Sequence, residues 1–413
     1  MFDLTPKQRK FIMTRIRRIN ILQGSVRSGK TFVSLVAWGL RVALSPPDCT
    51  FLMVGKTQTT LKRNCLTVLY QMFGDDFTYS MSSKTGRIFG RLVYLEGADN
   101  AKAEDKIRGI TLDGAYVDEA TLVPESFFTM LLSRLSRPGA FLYATTNPDN
   151  PLHWLKTNYI DRAAELDVAV WNFLLEDNTF LPRDYIDNIK KEYIGVFYRR
   201  FILGEWVLAD GLVFSAFNSE KHLIDPVSRD FINKDYAEKY IGIDYGIENP
   251  TCYSLWGWHV KRREWHCLKE YYYSGRETQN PKTDVELYAD LLSFSDGIEN
   301  LRGLIIDPSA SSFIVYIQKN RRFKVIKANN DVLGGISFVN SLFAQDKIFL
   351  SRECVNAQKE LFSYSWDTDR SRQTGRDVVI KISDHFCDSM RYFFFTVVKP
   401  KTSLYGITSK VVF

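Results

Sequence analysis

Eight consecutive residues, Gly24-Ser25-Val26-Arg27-Ser28-Gly29-Lys30-Thr31, fit the spacing G-x-x-x-x-G-K-S/T. Those types at that spacing build a phosphate cradle. Glycine at 24 and 29 lets backbone N–H groups approach phosphate closely. Lys30 would reach the β- and γ-phosphates of a nucleotide, and the Thr31 hydroxyl would bind Mg²⁺. Such a loop needs carboxylates on a neighbouring strand. Gly114-Ala115-Tyr116-Val117 supplies an apolar strand that ends in Asp118-Glu119. Asp118 is expected to hold Mg²⁺ through water, and Glu119 to orient and deprotonate the attacking water. A further apolar strand, Ala140–Ala144, runs into Thr145-Thr146-Asn147-Pro148. Polar residues at such a strand end can sense the γ-phosphate, with Asn147 the candidate contact.

A second acidic set lies far downstream. Asp244 and Asp307 each follow an apolar, strand-like run and precede a turn. If those strands are parallel neighbours, both carboxylates meet at one sheet edge. Asp384 and Asp388 stand four apart on a helical stretch, with His385 adjacent. Aspartates suit Mg²⁺ or Mn²⁺, and the imidazole of His385 tilts the preference towards Mn²⁺. Such a set can hold two divalent ions roughly 3.5–4 Å apart and cleave phosphodiesters in line.

The elements that must carry these residues fall into two patterns. Residues 1 to about 205 alternate strand-like and helix-like segments, as a mainly parallel α/β sheet requires. Ile19–Gln23 reads as the strand entering the phosphate loop, and Thr31–Leu44 as the helix leaving it. Thr5-Pro6 reads as a helix cap with proline in the first turn. Residues 206–235 read as an irregular, turn-rich linker. From 236 to 413 the order is a strand, an aromatic-rich hairpin (Thr251–His259 and Glu264–Tyr273), a helix, a strand ending in Asp307, and a late acidic helix. That is the order of a ribonuclease H-like fold.

The chain has 413 residues, 45% of them hydrophobic, and a net charge of +6. The mild basicity permits a polyanionic partner. Six cysteines include no C-x-x-C pair, which argues for free thiols in a reducing compartment and against structural zinc. No apolar run is long enough to span a bilayer, so no membrane partner is expected.

Taken in order, the phosphate loop, the strand ending Asp118-Glu119, Thr145-Thr146-Asn147-Pro148, Asp244-Tyr245-Gly246, Ile306-Asp307-Pro308 and Asp384-His385-x-x-Asp388 resemble the large terminase subunit of tailed bacteriophages and prophages, in its PBSX-like or SPP1-like group. The resemblance covers nearly the whole chain. It implies an ASCE-type P-loop ATPase domain over 1–205 and a C-terminal ribonuclease H-like nuclease domain. Together they would package double-stranded DNA into a procapsid with ATP and Mg²⁺, and cut concatemers with two Mn²⁺ or Mg²⁺ ions. It further implies a portal protein, a small terminase subunit, a pentameric ring and the cytoplasm of an infected bacterium. Gln8 matches the family's adenine-reading glutamine, and Arg27 the basic residue often found in its phosphate loop. Arg108 resembles its arginine finger, with Arg134 and Arg137 as weaker candidates. Family members use Asp or His as the third nuclease ligand, which leaves Asp384, His385 and Asp388 unranked. Two alternatives keep part of this reading. One is a helicase or repair ATPase with an inactive ribonuclease H-like domain, and the other a nucleotide-switched scaffold.

Overall fold

Strand-rich, apolar segments assemble into two sheets in the computed structural model, which describes residues 3–99 and 101–399. The first sheet contains β1 (Ile19–Gly24), β2 (Thr50–Gly55), β3 (Phe77–Ser80), β4 (Thr85–Ile88), β5 (Arg91–Gly97), β6 (Gly114–Val117), β7 (Phe141–Thr146) and β8 (Val168–Phe173). Its order is β3-β4-β5-β2-β6-β7-β1-β8. The pairings from β5 across to β8 are parallel. Their strands are apolar runs because helices and loops cover both faces. The β3-β4-β5 edge is antiparallel. There the two-residue turn Phe89-Gly90 has positive φ at both positions (46° and 80°), the geometry that matches strand twist in tight hairpins.

The second sheet contains β9 (Leu223–Ile224), β10 (Tyr236–Asp244), β11 (Thr251–His259), β12 (Glu264–Tyr273), β13 (Leu301–Ile306), β14 (Val325–Lys327) and β15 (Ile348–Ser351), in the order β14-β13-β10-β11-β12-β15-β9. β10, β11 and β12 form an antiparallel meander. β13 lies parallel beside β10, with Ile243 opposite Ile306. One face packs on the helix His385–Phe393 and its π-helical continuation Phe394–Val398, and the other on the helices Asp284–Phe294 and Ser311–Lys319.

The stretch 206–235 departs from the expected irregular linker. It holds the helices Ser219–His222 and Arg229–Asp235 and the edge strand β9. Val213 and Phe214 are buried in the core of the second sheet. The turn-forming residues punctuate short elements there because apolar residues between them reach a neighbouring core.

The two halves meet at a buried arginine. Arg200 donates to the Val207 carbonyl and ion-pairs with Asp149, 2.8 Å away, and with Asp377. Asp149 follows β7, whereas Asp377 belongs to the second half. Beside this junction, Asn150 donates to the Ser371 carbonyl at 3.2 Å. Removing one partner of a buried ion network strands the other charges, at a cost of about 3–5 kcal/mol. Arg200→Ala is therefore expected to lower unfolding stability by about that amount in urea titration; a loss below about 1 kcal/mol would contradict the assignment.

Candidate functional site

β1 delivers the chain into Gly24, whose φ is 132°. A Cβ there would lie 1.9 Å from the Phe173 carbonyl oxygen, so only glycine fits. Arg27 and Gly29 also have positive φ (56° and 80°), which curls the loop around its own N–H groups. The helix Lys30–Ala43 starts from Gly29 with no side-chain cap. Its first N–H groups are thus open to an anion. The hydroxyls of Ser25 and Ser28 are buried without a partner. Buried polar groups are almost always satisfied, so these orphaned oxygens fit a phosphate guest. Val26 is anchored by its N–H to the Phe201 carbonyl (2.9 Å), and the Arg27 carbonyl by Asn178 Nδ2 (2.8 Å). Thr31 is half-buried at the second helical position.

Lys30 Nζ donates to the Ser25 carbonyl (2.9 Å) and to Asn147 Oδ1 (2.7 Å). Burial pushes its pKa down to about 8, against the pull of Glu119 and Asp118. Gln8 is buried rather than solvent-facing. Its Oε1 accepts from the Thr5 N–H, which closes the cap of the first helix, and its Nε2 donates to the Gly29 carbonyl at 3.3 Å.

The acid pair sits where β6 ends. Asp118 accepts from Thr145 Oγ1 and from Asn64 Nδ2, both at 2.9 Å. Burial raises its pKa, and those two bonds work against the rise. Glu119 has left-handed backbone (φ 52°), and its N–H donates to Thr145 Oγ1 at 3.2 Å. Burial and the neighbouring Asp118 raise its pKa. The end of β7 therefore serves several residues at once: Thr145 binds Asp118 and Glu119, Thr146 binds Thr121 at 2.9 Å, and Asn147 binds Lys30. Asn64 carried no motif in the sequence. It lies in a π-helical turn, Lys62–Leu66, a distortion that recurs at functional sites. The carboxylate of Asp118 and the hydroxyl of Thr31 are hard oxygens, the donor type Mg²⁺ takes.

Arg108 is exposed and pairs with Asp105 (3.2 Å) and Glu104 (3.7 Å) of its own segment. Arg134 is bonded to Ser133, and Arg137 stands 3.5 Å from Asp113. Glu119, Asn147, Asp149, Lys56, Arg200 and Lys399 line a cleft of about 590 Å³ between the halves.

In the second sheet, Asp244 and Asp307 emerge side by side at the C-terminal ends of β10 and β13, as the parallel register requires. His385 Nδ1 lies 2.8 Å from Asp244 Oδ2. Burial pushes Asp244 up to about 6; the His385 bond opposes this, and the charges of Asp388 and Asp384 add to it. Burial works against the charged form of His385, yet the bond to Asp244 raises its pKa. Asp244, Asp307 and the candidate third ligands Asp384, His385 and Asp388 are not gathered into one cage. Among the described residues, no three acid, thiol or imidazole groups stand in a metal-holding arrangement. The reason is that other donors hold the carboxylates. Asp388 pairs with Arg391 (2.9 Å) and Lys381 (3.1 Å). Asp307 accepts from the Ser309 N–H (2.7 Å) and Asn330 Nδ2 (2.5 Å). Lys381 Nζ also ion-pairs with the buried Asp384 Oδ2, 2.8 Å away. The donor chemistry still suits a divalent cation: the charges of Asp388 and Asp384 help raise the pKa of buried Asp244, and Asp384 Oδ2 takes no hydrogen bond beside its ion pair with the half-exposed Lys381. Lys381 and Asn330 belong to this cluster and had no motif to announce them.

Residues 21–221 match the family model for the N-terminal part of the T4-like-virus-type terminase large subunit. The large terminase of a thermophilic bacteriophage is 35% identical and superimposes with a TM-score of 0.89, covering 96% of this chain and 100% of that one. The same phage protein in complex with ADP is 34% identical with a TM-score of 0.88 over the same shares, 96% and 100%. The terminase large subunit of Escherichia phage T5 is 25% identical over 327 residues, 76% of this chain and 71% of its own length.

His153 ties the loop after β7 to the loop after Glu119. It is buried, with Nδ1 accepting from the Leu155 N–H and Nε2 donating to the Thr121 carbonyl, both at 3.2 Å. Burial pushes its pKa down to about 4. The unfolded chain takes up this proton near pH 6.5, before the folded one does. The His153 contribution is therefore complete above about pH 6.5 and lost as pH falls towards 4, on the order of 3 kcal/mol in all. Between pH 7 and pH 4, wild type should lose about that much more stability than His153→Gln in urea titrations. Parallel losses would contradict it.

Proposed function

This chain belongs to the phage large terminase family, and on that premise we propose that it is an ATP-driven DNA-packaging motor with a second, phosphodiester-cleaving centre. The observation that carries the first half is the convergence on the end of β7. Lys30 from the phosphate loop and the Asp118-Glu119 pair are all bonded to Thr145–Asn147. The ADP complex of the thermophilic-phage relative supports nucleotide binding by this chain. The strand order β12-β11-β10-β13-β14, with Asp244 and Asp307 at adjacent strand ends, supports a ribonuclease H-like nuclease for the second half. The ATPase unit would span 1–205 and the nuclease unit 236–413, with 206–235 packed against the latter.

Adenine would lie near Gln8 and the phosphates over Gly24 to Thr31. Glu119 takes the proton of the attacking water; its raised pKa makes it a better base than a free carboxylate. Lys30 and the loop N–H groups stabilise charge on the leaving phosphates. Arg108 of a neighbouring subunit in a ring would add charge stabilisation in trans. Loss of γ-phosphate leaves Lys30 to Asn147, and the shift passes through Asp149 to Arg200 and Asp377. Asp118 and Thr31 would hold Mg²⁺; Asp244, Asp307 and one of Asp384, His385 or Asp388 would hold Mg²⁺ or Mn²⁺. Such ions, when bound, neutralise phosphate charge and lower the pKa of coordinated water. DNA would be gripped mainly through phosphates, with affinity falling steeply with salt. The portal protein, the small terminase subunit, a pentameric ring and the host cytoplasm complete the proposal.

The ion pairs of Asp388 favour one rival, an ATPase whose second centre is inert. Two assays on the full chain decide. Glu119→Gln should retain nucleotide binding and lose ATP turnover about 10²–10⁴-fold. In Mn²⁺, wild type and Lys30→Ala should cut plasmid DNA, whereas Asp244→Asn should not. ATP turnover with no cutting by wild type would establish the rival.

A further inference from the structure

The helix His385–Phe393 starts without a cap of its own. Asp384 occupies the capping position, yet its side chain accepts no bond from the first turn. An aspartate there ordinarily satisfies the N–H of the second or third helical residue. Those residues are Phe386 and Cys387, and both N–H groups donate instead to Glu360 Oε2, at 2.7 and 3.1 Å. Glu360 comes from the helix Val355–Ser363 and is only 2% exposed. Its other oxygen accepts from the Tyr272 hydroxyl of β12 at 2.9 Å. The Tyr272 ring in turn meets His385 edge-on, with centroids 6.2 Å apart.

This arrangement has a consequence for Asp384. A carboxylate at a helix N-terminus is favoured by the dipole and by the free N–H groups. Glu360 takes that place from outside the helix. Asp384 is thereby released from capping, and its buried Oδ2 is left to the ammonium group of Lys381, 2.8 Å away.

We propose that Glu360 is a positioning residue of the second centre: it caps the acidic helix in place of Asp384, which frees that carboxylate and fixes His385 and Asp388 against Asp244. The proposal rests on the reading that this cluster holds a divalent ion. Both oxygens of Glu360 are acceptors, facing three donors. A leucine offers no acceptor to the two backbone N–H groups, whereas a glutamine can keep both on its oxygen while its NH₂ donates to the Tyr272 hydroxyl. In Glu360→Leu the first turn would then reclaim Asp384 as its cap.

The test is Mn²⁺ binding to the full chain, followed by the electron paramagnetic resonance signal of free Mn²⁺, with melting temperature and ATP turnover measured in parallel. Outer partners of metal ligands typically tune affinity 10–100-fold. Glu360→Leu is expected to weaken Mn²⁺ binding by about that factor while ATP turnover stays at the wild-type level. Tyr272→Phe keeps the carboxylate and removes one donor, so it should weaken binding by about three- to tenfold; it also serves if Glu360→Leu does not fold. Wild-type Mn²⁺ affinity in the folded variants, with or without a lower melting temperature, would make Glu360 a structural cap only and overturn the proposal. Wild type binding Mn²⁺ no better than Asp244→Asn would instead remove the metal reading itself, and this inference with it.

Discussion

Lys30 carries an ammonium group into a buried loop, and that group must be compensated. Its bonds to the Ser25 carbonyl and Asn147 Oδ1, and the nearby charges of Asp118 and Glu119, do so. Desolvation still lowers its pKa, so the loop holds its lysine under electrostatic tension. The parallel order β6-β7-β1 follows from this need, because it brings the phosphate loop, the acid pair and the β7 end to one sheet edge. The left-handed backbone at Glu119 is a local strain of the kind that persists where surrounding bonds over-determine it, here Thr145 and Thr146 on one side and the Thr121 turn on the other.

The second sheet solves the opposite problem, an excess of buried negative charge. Asp244, Asp384 and Asp388 repel one another, and Lys381, Arg391 and His385 balance them. That balance is why the carboxylates are spread over separate partners rather than gathered at one point. A divalent cation would enter in competition with Lys381, whose side chain is half exposed and lies on the chain just before the acidic helix.

Much of this was legible in the sequence where the chemistry is local. The phosphate loop lies within eight residues, and its glycines are dictated by backbone angles that no other residue takes comfortably. The strands bearing Asp118, Asp244 and Asp307 were visible because buried strands read as unbroken apolar runs. The residues that escaped notice act over long separations. Asn64 meets Asp118 across 54 positions, and Arg200 meets Asp377 across 177. Glu360 caps a helix 26 residues away, in a stretch with no capping signature. The segment 206–235 reads as a linker for a related reason: Gly211, Pro226 and its aspartates signal turns, but the burial of Val213 and Phe214 depends on a core formed by residues further along.

The account's central claim is that the end of β7 joins the nucleotide loop to the second half through Asn147, Asp149 and Arg200. Amide hydrogen exchange with and without ATPγS tests it most directly. Added protection should appear over 24–31, over 145–150 and over 371–378 in wild type, and only over 24–31 in Asn147→Ala. Protection confined to 24–31 in wild type, or spreading unchanged to 371–378 in the variant, would contradict it.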